Sequence, residues 1–142
     1  MKRILLITLG LSIALLADFS RDDNKKIVTD NNTTLEWQDD GDAESLKINW
    51  KDAIAYCEAL ELGTHRDWRL PNFNELYYLA DRSKSKPSID GKFINTKDEY
   101  YWSSTTVVDQ KKMVWHVTFA NGNALWTSKV QKEHIRCVRD SQ

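Results

Sequence analysis

The stretch Asp67-Trp-Arg-Leu-Pro-Asn-Phe-Asn-Glu-Leu-Tyr-Tyr-Leu-Ala-Asp-Arg-Ser-Lys84 sets the apolar-basic Trp68-Arg69-Leu70 directly against an amphipathic run, with Pro71 and Asn72 between them. Asn72 is a strong N-cap, and Glu75 three residues on can reach back to the cap's own N–H and close a capping box. Pro71 lies just outside, placed to pack on Leu76. Leu76, Leu79 and Ala80 carry the helix to about Arg82.

Upstream, Asn49-Trp-Lys-Asp-Ala-Ile-Ala-Tyr-Cys-Glu-Ala-Leu60 repeats the pattern. Trp50, Ala53, Ile54, Cys57 and Leu60 share one helical face, Asn49 is the N-cap and Gly63 the stop. Before it, Ile27–Thr29 and Thr34–Trp37 read as short strands around the turn residues Asp30, Asn31 and Asn32. The acidic segment Asp39 to Ser45 reads as loop.

Downstream, residues 82–99 lack periodicity and read as a long surface loop pinned by Phe93. Tyr100 to Val108 is a strand candidate. Lys112 to Val130 carries the strongest hairpin signal, with Asn121-Gly122 suited to a two-residue type I′ turn. Pairing outward sets Ala120 against Asn123, Thr118 against Leu125 and Val117 against Trp126. Trp115, Val117, Phe119 and Trp126 then form the core face, which counts against Trp115 and Trp126 as an exposed sugar platform. Val114, His116, Thr118, Leu125 and Thr127 form the outer face. The run His134 to Asp140 reads as one strand, with Ile135 and Cys137 pointing one way and Arg136 and Val138 the other.

The chain has 142 residues, with 20 basic and 21 acidic side chains. Met1-Lys2-Arg3 followed by the apolar run Ile4–Leu16 and the small Ala17 reads as a cleaved signal peptide, residues 1–17. That run is short for a bilayer span, and no cysteine follows it to carry a lipid anchor. Residues 18–142 fit one domain with no transmembrane segment, periplasmic or secreted, carrying an excess of acidic side chains. Nucleic acid is therefore not an expected partner. Two cysteines, Cys57 and Cys137, permit one connectivity, and an exported chain favours the disulfide over two free thiols or a metal pair. Both fall on faces turned to the core.

Catalytic and metal-binding patterns are weak. No histidine pair among His65, His116 and His134 has metal-ligand spacing, so no metal site or cofactor is expected. Asp39, Asp40, Asp42 and Glu44 lack the spacing of a calcium loop. Ser103 and Ser104 have no nucleophile-elbow context. Arg69, Arg136 and Arg139 flank the motifs and read as structural, with Glu75 or Asp67 as partners. Arg82, Lys84 and Lys86 in the loop, and His116 on the outer face, are the candidate ligand contacts.

The ordered set WKDAIAYCEAL, DWRLPNFNEL, YYWSST, VWHVTFANG and IRCVR resembles the C-terminal domain family of the Legionella collagen-like adhesin, from about Phe19 to Asp140. Trp68, Arg69, Leu70, Pro71, Asn72, Glu75, Trp102, Ser103, Ser104, Arg136 and Arg139 are the residues that carry it. One departure is Thr34, where the family commonly has glycine. The resemblance implies an α+β class: a compact C-type lectin-like domain with two helices and short antiparallel strands and hairpins, similar also to the formylglycine-generating enzyme fold. A helix cysteine paired with one in the last strand fits that plan. It implies an exported, non-catalytic binding or adhesion module for a glycan or protein ligand. The adhesin naming the family binds sulfated glycosaminoglycans, but its collagen-like repeat is absent here. An enzyme of the formylglycine-generating kind and a structural subunit of an envelope complex are the alternative readings. The enzyme would need a reactive thiol pair.

Overall fold

A computed structural model describes residues 17–141; the expected signal peptide, apart from Ala17, lies outside the described residues. The chain forms β1 (Phe19–Asp22), β2 (Ile27–Asp30), β3 (Leu35–Gln38), α1 (Gly41–Ser45), β4 (Lys47–Ile48), α2 (Trp50–Ala59), α3 (Phe73–Leu79), β5 (Tyr100–Val107), β6 (Gln110–Thr118), β7 (Ala124–Ser128), β8 (Glu133–His134) and β9 (Val138–Asp140). They make an α+β fold with two sheets, ordered β1-β2-β3-β9 and β4-β8-β5-β6-β7.

The two main helices start as their caps dictate. Asn49 accepts from the Asp52 amide at the head of α2. At the head of α3 the Asn72 side chain accepts from the Glu75 amide, while Glu75 accepts from the Asn72 amide, both at 2.9 Å. α3 stops at Leu79 and not near Arg82, because Ala80 is extended and the Asp81 amide turns away to bond the Ser88 carbonyl. A third helix occupies part of the expected acidic loop. Asp40 caps it by accepting from the Ala43 amide, and Ala43 is fully buried beneath it.

The β6–β7 hairpin differs from the two-residue turn. Val117 pairs with Ala124, His116 with Leu125 and Trp115 with Trp126, two residues out of the expected register. Phe119 ends β6 because its amide bonds the Glu99 carbonyl and its carbonyl takes the Ser88 amide. The connection is thus longer, and Gly122 alone in it takes a positive φ, whereas type I′ needs two. A shift of two leaves every side chain on its face. Both faces of β6 are nonetheless buried at its centre, since Val114, His116 and Val117 are all in the interior.

The expected single strand His134–Asp140 is two. β8 belongs to the second sheet and β9 to the first, and Ile135, Arg136 and Cys137 cross between them, all fully buried. Cys137 is bonded to Cys57 of α2, with Cα atoms 5.6 Å apart, as the sequence indicated. Around it pack Ala53, Trp68, Leu70, Trp102, Val114 and Ile135. A second cluster joins Val28, Trp37 and Val138 of the first sheet to Leu76, Tyr101, Val117 and Phe119. Among these residues the loop 82–99 supplies Ile89 and Phe93.

Two stability tests arise here. The bond Cys57–Cys137 spans 80 residues, so Cys57→Ala with Cys137→Ala is expected to lose about 4 kcal/mol in urea unfolding. Thr34 sits at φ 65, a region disfavoured for a β-branched residue. Thr34→Gly is expected to gain about 1 kcal/mol in the same assay, by relief of backbone strain.

Candidate functional site

The residues that define the sequence motifs are engaged in holding the fold. Trp68 donates its indole N–H to the Leu62 carbonyl at 3.3 Å, and Trp102 donates to Ile48 at 2.8 Å. Arg69 pairs by backbone with Val138 in both directions, and its guanidinium forks onto Glu75 at 2.7 and 2.8 Å. Leu70 is buried, and the Pro71 carbonyl accepts from the Ser104 amide at 2.8 Å. Ser103 is buried and donates its hydroxyl to the Trp115 carbonyl at 2.6 Å. Arg139 binds Asp67 and Glu36. Arg136 is fully buried against Asp39 at 2.8 Å.

The acidic segment is similarly engaged. Asp39 is buried and accepts from Arg136, Arg21 and the Ile94 and Asn95 amides. Asp40 caps α1, and Asp42 accepts from the Tyr56 hydroxyl at 2.7 Å. Burial, followed by that bond to Asp42, pushes the Tyr56 phenol up. Glu44 is exposed. Among the described residues no group of three or more His, Cys, Asp or Glu could hold a metal ion.

The speculative ligand contacts separate. His116 is a correction: it is 5 % exposed and stacked on Tyr100, with ring centroids 3.8 Å apart, and so is not on an outer face. The reason is a second layer on that face: Val114 and Trp102 share a core cluster with Ala53 and Cys57 of α2, and Glu133 of β8 comes within 3.6 Å of the His116 Nδ1. Arg82 lies over the Tyr77 ring at 3.8 Å and donates to the carbonyls of Tyr77, Ala80 and Gly122. A Cβ on Gly122 would come within 2.8 Å of the Arg82 side chain, so glycine is needed there for contact as well as conformation. Lys84 stands 3.9 Å from Asp81, half exposed, and Lys86 is exposed.

What the structure does assemble on the surface is a row of rings. Tyr78, Tyr77 and Phe73 of α3 continue through Trp115 of β6 to Trp126 of β7, with successive centroids 5.5, 5.4, 5.2 and 5.0 Å apart. Tyr78 is 78 % exposed and Trp126 47 %, while Phe73, Tyr77 and Trp115 are half-buried between them. The exposed rings at the two ends meet their neighbours edge-on, at 84° and 79°. Tyr78 also borders two clefts. One, of about 240 Å³, runs along Thr33, Leu35, Trp37 and Asn74; the other, of about 360 Å³, runs along Phe19, Asp81 and Arg82. Trp115 and Trp126 were expected in the core beside Val117 and Phe119, and only the latter pair is there. α3 lies over the Val117–Phe119 end of the face, where Leu76 shares their core cluster, and Phe73 is the last ring it offers towards Trp126. The adjacent tyrosines of α3 were the available sequence signal, because one of two neighbours on a two-layer helix must face out.

The chain matches the Lcl C-terminal domain over residues 26–139. It belongs to that family. No curated protein matches it. The Lcl fold in this chain thus engages its motif residues in the frame, with Asn72 and Ser104 at its surface, and leaves Tyr78 and Trp126 exposed at the ends of the ring row. Membership is consistent with an adhesin-like binding module.

The frame around α3 carries a pH dependence. Burial raises the Glu75 carboxyl, but the Arg69 fork and the Asn72 amide outweigh it and hold the group below its ordinary 4.5. Asp67 is held below its ordinary 3.8, first by Arg139. Depressed carboxylates contribute stability above their unfolded values and lose it as pH falls through the folded ones. Thermal melts are therefore expected to be flat from neutrality to about pH 5 and to fall steeply below about pH 4, with a shallower fall in Glu75→Gln.

Proposed function

We propose that this Lcl domain is an exported binding module without catalytic chemistry, periplasmic or secreted, and that its ligand surface is the ring row from Tyr78 to Trp126. The observation that carries the reading is the exposure of the two end rings on a support of three half-buried ones. Rings fixed in this way present apolar faces at little cost in side-chain entropy, which suits the C–H faces of a saccharide. The carboxamides of Asn74 beside Tyr78, and of Asn121 and Asn123 in the β6–β7 connection, are of the kind that bond sugar hydroxyls. The absence of catalysis is supported by the cysteines: both are in the disulfide and fully buried, which leaves no thiol pair for an oxidase of the formylglycine-generating kind.

The oxidised protein on an array of neutral and sulfated glycans, at low and physiological salt, tests the proposal. Salt-insensitive binding to neutral saccharides is expected, weakened roughly fivefold by Trp126→Ala or Tyr78→Ala. Binding that vanishes with salt and responds to Lys84→Ala and Lys86→Ala instead would move the site to the basic loop. Silence across the array would remove the saccharide from the proposal.

A further inference from the structure

The two sheets have four edges: β1 and β9 in the first, β4 and β7 in the second. Unpaired strand edges invite other chains, and proteins blunt them with charge, proline, bulges or short length. β1 carries Arg21 and Asp22. β9 carries Arg139 and Asp140, and Arg69 bonds the Val138 backbone through both its N–H and its carbonyl. β4 is two residues long and includes Lys47. β7, Ala-Leu-Trp-Thr-Ser from 124 to 128, carries neither charge nor proline, and its register with β6 runs through five consecutive pairs without a bulge.

The register also says which backbone groups face out. Thr118 donates to the Asn123 carbonyl and Lys129 donates to the Lys112 carbonyl, which marks these as hydrogen-bonded pairs of the ladder. Such pairs recur every second residue, so Leu125 and Thr127 turn their N–H and carbonyl groups inward to His116 and Val114. Ala124, Trp126 and Ser128 turn theirs outward. The Gln131 amide takes the Ser128 carbonyl. Three N–H groups and the carbonyls of Ala124 and Trp126 are left along the edge, with Leu125 51 % exposed on one face and Trp126 47 % on the other.

We propose that β7 is a strand-addition site for an extended peptide segment of a partner protein. The ledge is short, about 17 Å for five residues. β7 of a second copy brings no acidic side chain between Asn121 and Gln131 to meet Lys112 and Lys129. An extended segment suits it better, because its affinity comes from main-chain hydrogen bonds and its selectivity from alternate side chains. Those side chains are apolar beside Trp126 and Leu125, and acidic at the end beside Lys112 and Lys129. This inference goes beyond the saccharide reading, since outward backbone groups carry it and not ring faces; an unresponsive glycan array leaves it standing.

The test uses a blocked heptapeptide of alternating threonine and valine with an N-terminal aspartate, and amide hydrogen exchange of the full oxidised protein read by NMR. Added peptide is expected to slow exchange at Ala124, Trp126 and Ser128, while Leu125 and Thr127, already bonded to β6, stay as they were. Ser128→Pro removes one outward donor and is expected to weaken binding roughly tenfold. Leu125→Lys, which places a charge at an exposed position of the edge strand, gives the same loss in a variant that keeps every backbone donor. No slowing at millimolar peptide would overturn the proposal, as would equal binding of a peptide with proline at its centre. Slowing that follows protein concentration without peptide would overturn it too, in favour of a second copy.

Discussion

The carboxylate of Asp39 is the point on which the two sheets are hung. It is fully buried, and so is the Arg136 guanidinium that it meets. Arg136 comes from the three residues that cross from β8 to β9, and Asp39 directly follows β3. The other hydrogens of the two terminal Arg136 nitrogens go to the carbonyls of Gln38 and Asn95 and to the Thr96 hydroxyl, while the buried Nε–H has no partner among the described residues. Asp39 in turn takes the Ile94 and Asn95 amides and Arg21 from β1. One ion pair therefore ties together the first sheet, the crossing segment and the end of the loop 82–99. Leaving either charge alone in the interior would cost about 3–5 kcal/mol, and the surrounding hydrogen bonds are what make its burial tolerable.

The disulfide and this ion pair act on neighbouring residues with different partners. Cys137 fastens the crossing segment to α2, and Arg136 fastens it to the loop and the first sheet. The Gln38 side chain joins them, accepting from the Cys137 amide and donating to Asp40 and Tyr56. A small domain that must return its chain from one sheet to the other concentrates its covalent and ionic links where the backbone leaves both ladders. The surface proposed to bind, from Tyr78 to Trp126 and the β7 edge, lies on other elements than this crossing.

Much of the frame was legible from local signals. Asn49, Asn72 and Glu75 act through bonds within four residues of themselves, so the helix starts could be read from spacing alone. The cysteine pair was legible because both residues lay on faces with core periodicity. The α1 cap was missed because Asp40 sits in an acidic run that composition assigns to loop. The hairpin register was missed because Asn121-Gly122 is a strong local turn signal, and the backbone of Phe119 is claimed by Glu99 and Ser88, contacts between segments far apart in sequence.

The helix starts, the alternation of faces along β6 and β7 and the one possible disulfide were already set in the sequence, because each depends on bonds or periodicities a few residues long or on a count. Only the tertiary structure decided that His134–Asp140 divides between two sheets, that Asp39 and Arg136 are buried together, and that His116 lies inside while Trp126 lies half in water. Those outcomes depend on where one layer ends over another. Val117, Phe119, Trp115 and Trp126 share one face and one apolar character, and the extent of α3 across the sheet, which no residue among the four encodes, separates core from surface.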